Sequence, residues 1–308
     1  MPSVLPTLEE ARGLVPRPGG HVWRLAGDVR NLNTAGYAVL LQVAHPTVGA
    51  GVGQYSGFID DPWNRLFRTL DYVHGSIYGG PEMAWSIGRR VREIHKSIKG
   101  VKDDGERYHA LEPGAYAWVH ATLAAAFVYG SETFATPLKP GERQDFWEEW
   151  VRLGRLIGVR ERDLPARWSD FGAYFDDVVE HELEDNPTVH LVLASLMQPK
   201  AAPIPGLPEW AWTLVARPAS AHVRTNTLGM FGPRIREILG LEWSRADERR
   251  FRALAAASRN ATPLIRGPLA HFGEHYVQWR AKQLERGDVA SHVPPKRAAA
   301  ERPEVVAA

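Results

Sequence analysis

The sequence of 308 residues predicts an all-α fold with a single large helical domain. Apolar residues recur at helical spacing through most of the chain, whereas alternating runs of β-branched residues and hairpin dipeptides are scarce. Glycine and proline pairs separate the periodic segments. We predict a short helix and linker over residues 1–20, the helical domain over 21–285, and a disordered tail over 286–308, where apolar residues are few.

The composition limits the classes of function. A formal net charge of +1 leaves no strong positive field for binding nucleic acid. The absence of cysteine excludes disulfides, zinc–thiolate sites and iron–sulfur clusters. Eleven tryptophans predict a large aromatic core or an apolar pocket. Because the sequence shows neither a secretory signal nor an apolar run of membrane-spanning length, we expect a cytoplasmic protein without a membrane span.

Capping residues and prolines mark the first helices. Thr7 and Glu10 have the spacing of a capping box, and the Gly/Pro-rich segment 16–20 ends the short helix that they begin. The apolar period over residues 33–44 predicts a second helix, which Pro46 must end or kink.

A glycine-rich segment comes before the helix with the most polar face. Residues 49–56 are small, and they predict either a tight helical segment or a loop that passes close to a ligand. Asp60 and Asp61 then provide an N-cap and Pro62 the first turn of a helix that ends at residues 79–81.

Helical periodicity continues to the tail. The next helix covers residues 81–99, a turn follows over 100–105, and Glu112-Pro113 begin a long apolar helix that reaches Tyr129. The remaining predicted helices cover residues 143–157, 170–185, 188–197, 210–214, 221–228, 234–239, 246–256 and 268–284.

The helix that begins at Pro62 has one polar stripe, spaced at i, i+3, i+4 and i+7 and opposite an apolar stripe. This stripe contains Arg65, Arg68, Thr69 and Tyr72. Arginine suits an anionic group, because its planar fork matches the geometry of a carboxylate. Two interpretations remain open: the arginines bind a buried anion, or they pair with neighbouring aspartates of the chain. Those aspartates are Asp60, Asp61 and Asp71.

The long apolar helix carries one histidine on its apolar face. This face contains Tyr116, Val119, His120, Leu123 and Phe127. A neutral imidazole among apolar groups is a good iron ligand, and a haem ring needs apolar walls. The arginine stripe would bind the two propionates, so the two helices together predict a haem site. The alternative is a core histidine that is hydrogen-bonded to a backbone carbonyl.

Other motifs are weaker or fail. His45 precedes Pro46 at a helix break and competes with His120 as the iron ligand. His181 begins a segment that departs from the zinc motif His-Glu-x-x-His, because Asp185 stands at its last position. We find no repeated Glu-x-x-His, Gly-x-Ser-x-Gly elbow, P-loop or dinucleotide-binding fingerprint after a strand.

Five segments resemble the family that joins MpaB-type oxygenases to latex clearing protein, a rubber oxygenase. They are VWRLAGDVRNL (22–32), LLQVAHPTVGAGV (40–52), FIDDPWNRLFRTLDYVHGSIYG (58–79), GERYHALEPGAYAWVHATL (105–123) and REILGLEW (236–243). The resemblance covers roughly residues 20–285, and the series HP, DPW, RLxRT and WVHATL is specific when its parts are taken together.

This resemblance implies a globin-like helical core that binds haem b and performs dioxygen-dependent oxidation. Carried onto this sequence, the axial histidine is His120, and an Arg-x-x-Lys-Thr element corresponds to Arg65, Arg68 and Thr69. Arginine effectively cannot deprotonate to bind iron, so the lysine-ligated closed state of the rubber oxygenases is not implied. The catalytic glutamate of the rubber oxygenases has no counterpart that can be placed here. The glycine-rich segment 49–53 occupies the expected region, which argues against polyisoprene as the substrate.

We therefore predict a haem b-dependent oxygenase. The predicted cofactor-binding residues are His120, the axial ligand, with Arg65, Arg68, Tyr116, Leu123 and Phe127. The predicted catalytic residues are Arg68, Thr69 and His45. The expected partners are dioxygen, a small-molecule or lipid-like substrate and an electron donor. Three alternatives stay open: a haem carrier or gas sensor, a peroxide-using peroxygenase or peroxidase, and a haem-free helical protein.

Overall fold

The structure, a computed structural model, describes residues 5–55, 62–197 and 208–286. Helices dominate this part of the chain, which confirms the all-α prediction. The first seven are α1 (Leu8–Ala11), α2 (His21–Gly27), α3 (Ala35–Ala44), α4 (Pro46–Tyr55), α5 (Pro62–Tyr78), α6 (Gly80–Lys96) and α7 (Pro113–Phe134). The others are α8 (Pro140–Ile157), α9 (Phe171–His181), α10 (Pro187–Met197), α11 (Glu209–Met230), α12 (Pro233–Ile238), α13 (Arg245–Asn260) and α14 (Phe272–Glu285).

The predicted helix starts are confirmed where the structure describes them. Thr7 and Glu10 form the capping box, in which Glu10 N donates to Thr7 Oγ1 at 3.3 Å and Thr7 N donates to Glu10 Oε2 at 2.7 Å. The chain breaks between α3 and α4 at His45, directly before Pro46. The predicted caps Asp60 and Asp61 lie outside the described residues, as does the predicted tail apart from its first residue.

A short antiparallel hairpin interrupts the helices. It consists of β1 (Lys99–Val101) and β2 (Arg107–His109), with Lys99 opposite His109. The sequence predicted only a turn over residues 100–105. Strands of three residues are too short to show an alternating apolar pattern, so periodicity could not reveal them.

Helix α11 corrects a second prediction. The expected separate helices 210–214 and 221–228 form one helix, and Pro218 lies inside it. A proline removes one helical hydrogen bond and causes a kink. Here α11 packs against α3, α10 and α13, and this packing offsets the loss.

Helix α7 forms the centre of the core. It packs against α3, α8, α13 and a 3₁₀ helix at Val29–Thr34. Trp118 of α7 and Trp147 and Trp150 of α8 are almost fully buried, which confirms the predicted aromatic core. No helix in the described ranges is long and apolar enough to cross a lipid bilayer.

Helices α5 and α6 form an antiparallel pair that positions the polar stripe. The turn between them includes Gly80, whose φ of +78° lies in the left-handed region that favours glycine. Both helices contain 17 residues. The first turn of α5 and the last turn of α6 therefore lie at the same end of the pair, and that end carries the candidate site.

Candidate functional site

His120 lies in the core between α7 and α8. Its side chain is 3% exposed, and its Nε2 donates a hydrogen bond to the Trp150 carbonyl oxygen at 2.8 Å. The indole Nε1 of Trp150 donates in return to the His120 carbonyl oxygen at 2.9 Å, and the two rings stack with centroids 4.7 Å apart. A carbonyl oxygen only accepts, so His120 Nε2 carries the proton. This arrangement matches the alternative of a core histidine.

The surroundings of His120 Nε2 are too tight for a metal. A Cβ atom at Gly154 of α8 would lie only 2.7 Å from this nitrogen. Phe127 packs in the same layer, with its ring centroid 5.4 Å from that of Trp150, and Leu123 lies against the same core. Burial lowers the pKa of His120 to about 4, so the imidazole is neutral at pH 7. As cofactor ligands these three residues stay predictions, and their packing in this structure does not fit a haem.

His45 ends α3 and makes an ionic hydrogen bond. Its Nε2 lies 2.9 Å from Oε2 of Glu182, and the side chain is 5% exposed. Burial lowers the pKa of His45, although the charge of Glu182 opposes this shift. Its Nδ1 is buried without a hydrogen-bond partner among the described residues. His45 thus links the end of α3 to the residue after α9, and its catalytic role stays a prediction.

Arg65 and Arg68 have no acidic partner among the described residues. No ion pair to either side chain is found there, and Arg68 Nε is buried without a hydrogen bond. Burial lowers the pKa of Arg65, and the charge of Arg68 lowers it further. Asp71, one of the predicted partners, instead pairs with Arg280. Unpaired cations in a desolvated position favour an anionic ligand, because only an opposite charge offsets their loss of hydration.

His95 of α6 lies near Arg65. Its Nδ1 is 2.7 Å from the Val91 carbonyl oxygen and therefore donates, which leaves a lone pair on Nε2. Nε2 has no partner among the described residues. Burial lowers the pKa of His95, and the nearby charges of Arg65 and His109 lower it further. A neutral imidazole that donates through one nitrogen to a carbonyl and exposes the other is the usual arrangement of a metal-ligating histidine.

Two further residues border His95. The ring of Tyr116 meets that of His95 edge to face, with centroids 5.7 Å apart, and its hydroxyl donates to the Ile157 carbonyl oxygen at 3.0 Å. His109 Nδ1 accepts from Leu111 N at 3.0 Å, so Nε2 carries the hydrogen when the ring is neutral. We define the cationic cluster as Arg65, Arg68, His95 and His109. Tyr116 is thus the predicted aromatic cofactor residue that lies at this cluster.

An open cavity adjoins the cluster through His109. It has a volume of about 450 Å³ and is also lined by Arg107, Tyr108, Leu111 and Glu112. This volume is within the range of small-molecule sites. Thr69 is exposed, and its hydroxyl donates to the Arg65 carbonyl oxygen at 3.0 Å, so only its oxygen lone pairs remain for a ligand.

His95 was not among the predicted site residues. It lies outside the long apolar helix. Its own helix is rich in polar residues, where a histidine is usually a surface residue. The signal was the hairpin geometry, because an antiparallel pair of equal helices places the end of α6 beside the arginines at the start of α5.

Comparison with known proteins agrees with an oxygenase. A family model described as "ER-bound oxygenase mpaB/B'/Rubber oxygenase, catalytic domain" matches residues 23–260, well over half of the chain. Uncharacterized protein Mb2261 of Mycobacterium bovis and uncharacterized protein Rv2237 of Mycobacterium tuberculosis are each 28% identical to it over 231 residues, which cover 74% of this chain and 87% of each relative. No solved structure matches. The chain belongs to the family of mpaB and rubber oxygenase catalytic domains.

Proposed function

We propose that this protein is a haem b-dependent oxygenase that acts with dioxygen on a small-molecule or lipid-like substrate. Family membership supports the oxygenase class. The observation that carries the haem assignment is the position of His95. Its Nε2 lone pair has no partner among the described residues, and it lies near Arg65, which has no acidic partner there and is itself influenced by the charge of Arg68.

The residues of the cationic cluster fit the three polar requirements of a haem. His95 would be the axial ligand, and the Val91 carbonyl holds its tautomer and orientation. Arg65 and Arg68 would bind the propionates through charge-assisted hydrogen bonds. The bound haem would supply the redox chemistry, while the protein sets access, polarity and orientation.

The chain's own residues define the remaining roles. Tyr116 packs against the edge of His95 and holds the ring in place through its hydrogen bond to Ile157. The cavity beside His109 offers Tyr108 and Leu111 as apolar surface, with Arg107 and Glu112 as polar contacts, which suits a small amphipathic substrate.

His120 remains the rival axial ligand. To bind iron through Nε2, it would have to lose its bond to Trp150 and separate α7 from α8 near Gly154. His95 Nε2, by contrast, has no hydrogen bond to lose among the described residues. We therefore place the iron ligand on α6, with His120 as a core residue.

An absorption spectrum tests the proposal. Protein purified from haem-supplemented cells, or titrated with hemin, should show a strong Soret band that shifts on dithionite reduction and again with carbon monoxide, as an open histidine-ligated haem requires. A colourless protein that refuses hemin would overturn the assignment. Haem binding without turnover of any substrate by dioxygen and reductant would favour a carrier or sensor. Turnover with hydrogen peroxide alone would favour a peroxygenase or peroxidase.

A further inference from the structure

Two side chains of α14 bind Asp71 of α5, the carboxylate that lies between Thr69 and Tyr72 in the sequence. Nε of Arg280 donates to Oδ1 of Asp71 at 2.8 Å, and its Nη2 donates to Oδ2 at 2.7 Å. The Tyr276 hydroxyl donates to the same Oδ1 at 2.6 Å. The side chains of Arg280 and Asp71 are only 10% and 27% exposed, so solvent screens this pair weakly.

Asp71 is also within helical reach of Arg68. The two residues are spaced at i and i+3 on α5, where opposite charges regularly pair. Nevertheless, Arg68 Nε is buried without a hydrogen-bond partner, and Asp71 accepts instead from three donors of α14. Without those donors, Asp71 would gain by turning to Arg68.

We propose that Arg280 and Tyr276 are positioning residues for the anion site: they hold Asp71 away from Arg68 and so keep the Arg68 guanidinium free for an anionic group. That this anion is a haem propionate rests on the proposed function, whereas the competition for Asp71 does not. Helix α14 begins at Phe272, beyond the residues 23–260 that match the family model. Tyr276 and Arg280 therefore lie outside the part of the chain that matches the family model.

Aromatic contacts also hold α14 against α5, so the charge of Arg280 can be removed without removing every contact of the helix. The His74 ring has centroid distances of 5.8 Å to Phe272 and 5.7 Å to Tyr276, and a Cβ atom at Gly273 would lie 2.2 Å from Tyr78. These contacts persist when the Arg280 charge is removed. We therefore expect Arg280→Met to keep α14 in place.

Hemin titration of three variants tests the proposal. Arg280→Met should weaken hemin binding about tenfold, because the released Asp71 neutralises Arg68. The double variant Arg280→Met/Asp71→Asn should return to within about threefold of the wild type, since it has no carboxylate to compete. Arg234→Met removes an ion pair in which one donor, Nε, lies within hydrogen-bond distance of both carboxylate oxygens of Glu180 on α9; it is the control and should bind hemin normally. If the double variant binds as weakly as Arg280→Met, the role of Arg280 is structural and the proposal is overturned.

A stability cycle gives a readout that needs no hemin. In the wild-type background, the effects of Arg68→Met and Asp71→Asn on the urea midpoint should add, because the two side chains do not pair. In the Arg280→Met background they should be non-additive. Additivity in both backgrounds would overturn the competition for Asp71, whereas failure of the wild type to bind hemin would overturn the proposed function and leave this cycle to decide the inference.

Discussion

The buried layer around His120 and the cationic cluster around His95 use the same side chain in opposite ways. His120 carries its proton on Nε2 and donates it to the Trp150 carbonyl oxygen. His95 carries its proton on Nδ1 and donates it to the Val91 carbonyl oxygen of its own helix. The first bond occupies Nε2 of His120, whereas the second leaves Nε2 of His95 without a partner among the described residues. The position of one carbonyl oxygen thus decides which nitrogen of each ring carries the proton.

The two histidines also differ in whether their neighbours are aromatic or charged. His120 stacks on Trp150, which in turn stacks on Phe146, so its surroundings are aromatic. His95 lies near Arg65 and His109, and their charges lower its pKa. An uncharged layer stabilises the core, whereas an excess of positive charge is unfavourable until an anion binds.

The largest expected effect separates the two histidines by hemin affinity. His95→Ala should weaken hemin binding by more than about a hundredfold, because it removes the axial ligand. His120→Leu should keep hemin affinity within a few-fold, because it alters only the core. Hemin titration followed at the Soret band measures both, and far-ultraviolet circular dichroism checks that each variant is folded. The reverse result, with hemin lost from His120→Leu and kept by His95→Ala, would return the ligand to α7.

The next effect concerns stability below neutral pH. The pKa of His120 is about 4 in the fold against 6.5 for a free histidine, so the unfolded chain takes up a proton first as the pH falls. The free energy of unfolding should therefore decrease between about pH 6.5 and pH 4, by up to ~3 kcal/mol from this residue alone. Urea unfolding at several pH values measures the slope.

The matched variant for this measurement is His120→Leu. It removes the titrating group, so its stability should depend less on pH than that of the wild type. His74, whose burial also lowers its pKa to about 4, titrates in both proteins and accounts for part of the remaining slope. Equal slopes for the two proteins would contradict a buried, neutral His120.

The smallest expected effect concerns the arginine stripe. Arg65→Ala should weaken hemin binding by about 1–3 kcal/mol if the guanidinium pairs with a propionate. Arg250→Ala, on the exposed face of α13, removes a side chain that is 72% exposed and should leave hemin affinity unchanged. Equal affinities for the two variants would show that Arg65 does not contact the cofactor.

Much of the fold could be predicted because its signals are local. The capping box at Thr7 and the break at Pro46 depend on neighbouring residues, and both are confirmed. The continuity of α11 through Pro218 could not be predicted, since it depends on packing against helices far along the chain. The glycines of α4 serve packing in a similar way: a Cβ atom at Gly49 would lie 2.5 Å from the Val43 carbonyl oxygen.

The candidate site was predicted only on the side of α5. Helical spacing places Arg65 and Arg68 on one stripe, and this needs no tertiary information. The choice of histidine depends on hydrogen bonds to Trp150 and Val91, and amphipathic spacing cannot reveal which nitrogen each bond occupies. Spacing favours His120 as the ligand because it lies on an apolar helix, and that prediction is tested by the variants above.

The position of α14 also bears on where this protein can be cut. A chain that ended at residue 260 would retain every residue that matches the family model, yet it would lose the three donors that hold Asp71. The boundary drawn by sequence similarity and the boundary of the charge network thus fall at different residues. Helix α14 follows α5 by nine helices along the chain, yet it contacts α5 directly through Arg280 and Asp71. A shortened protein designed from similarity alone would therefore have an altered charge balance on α5.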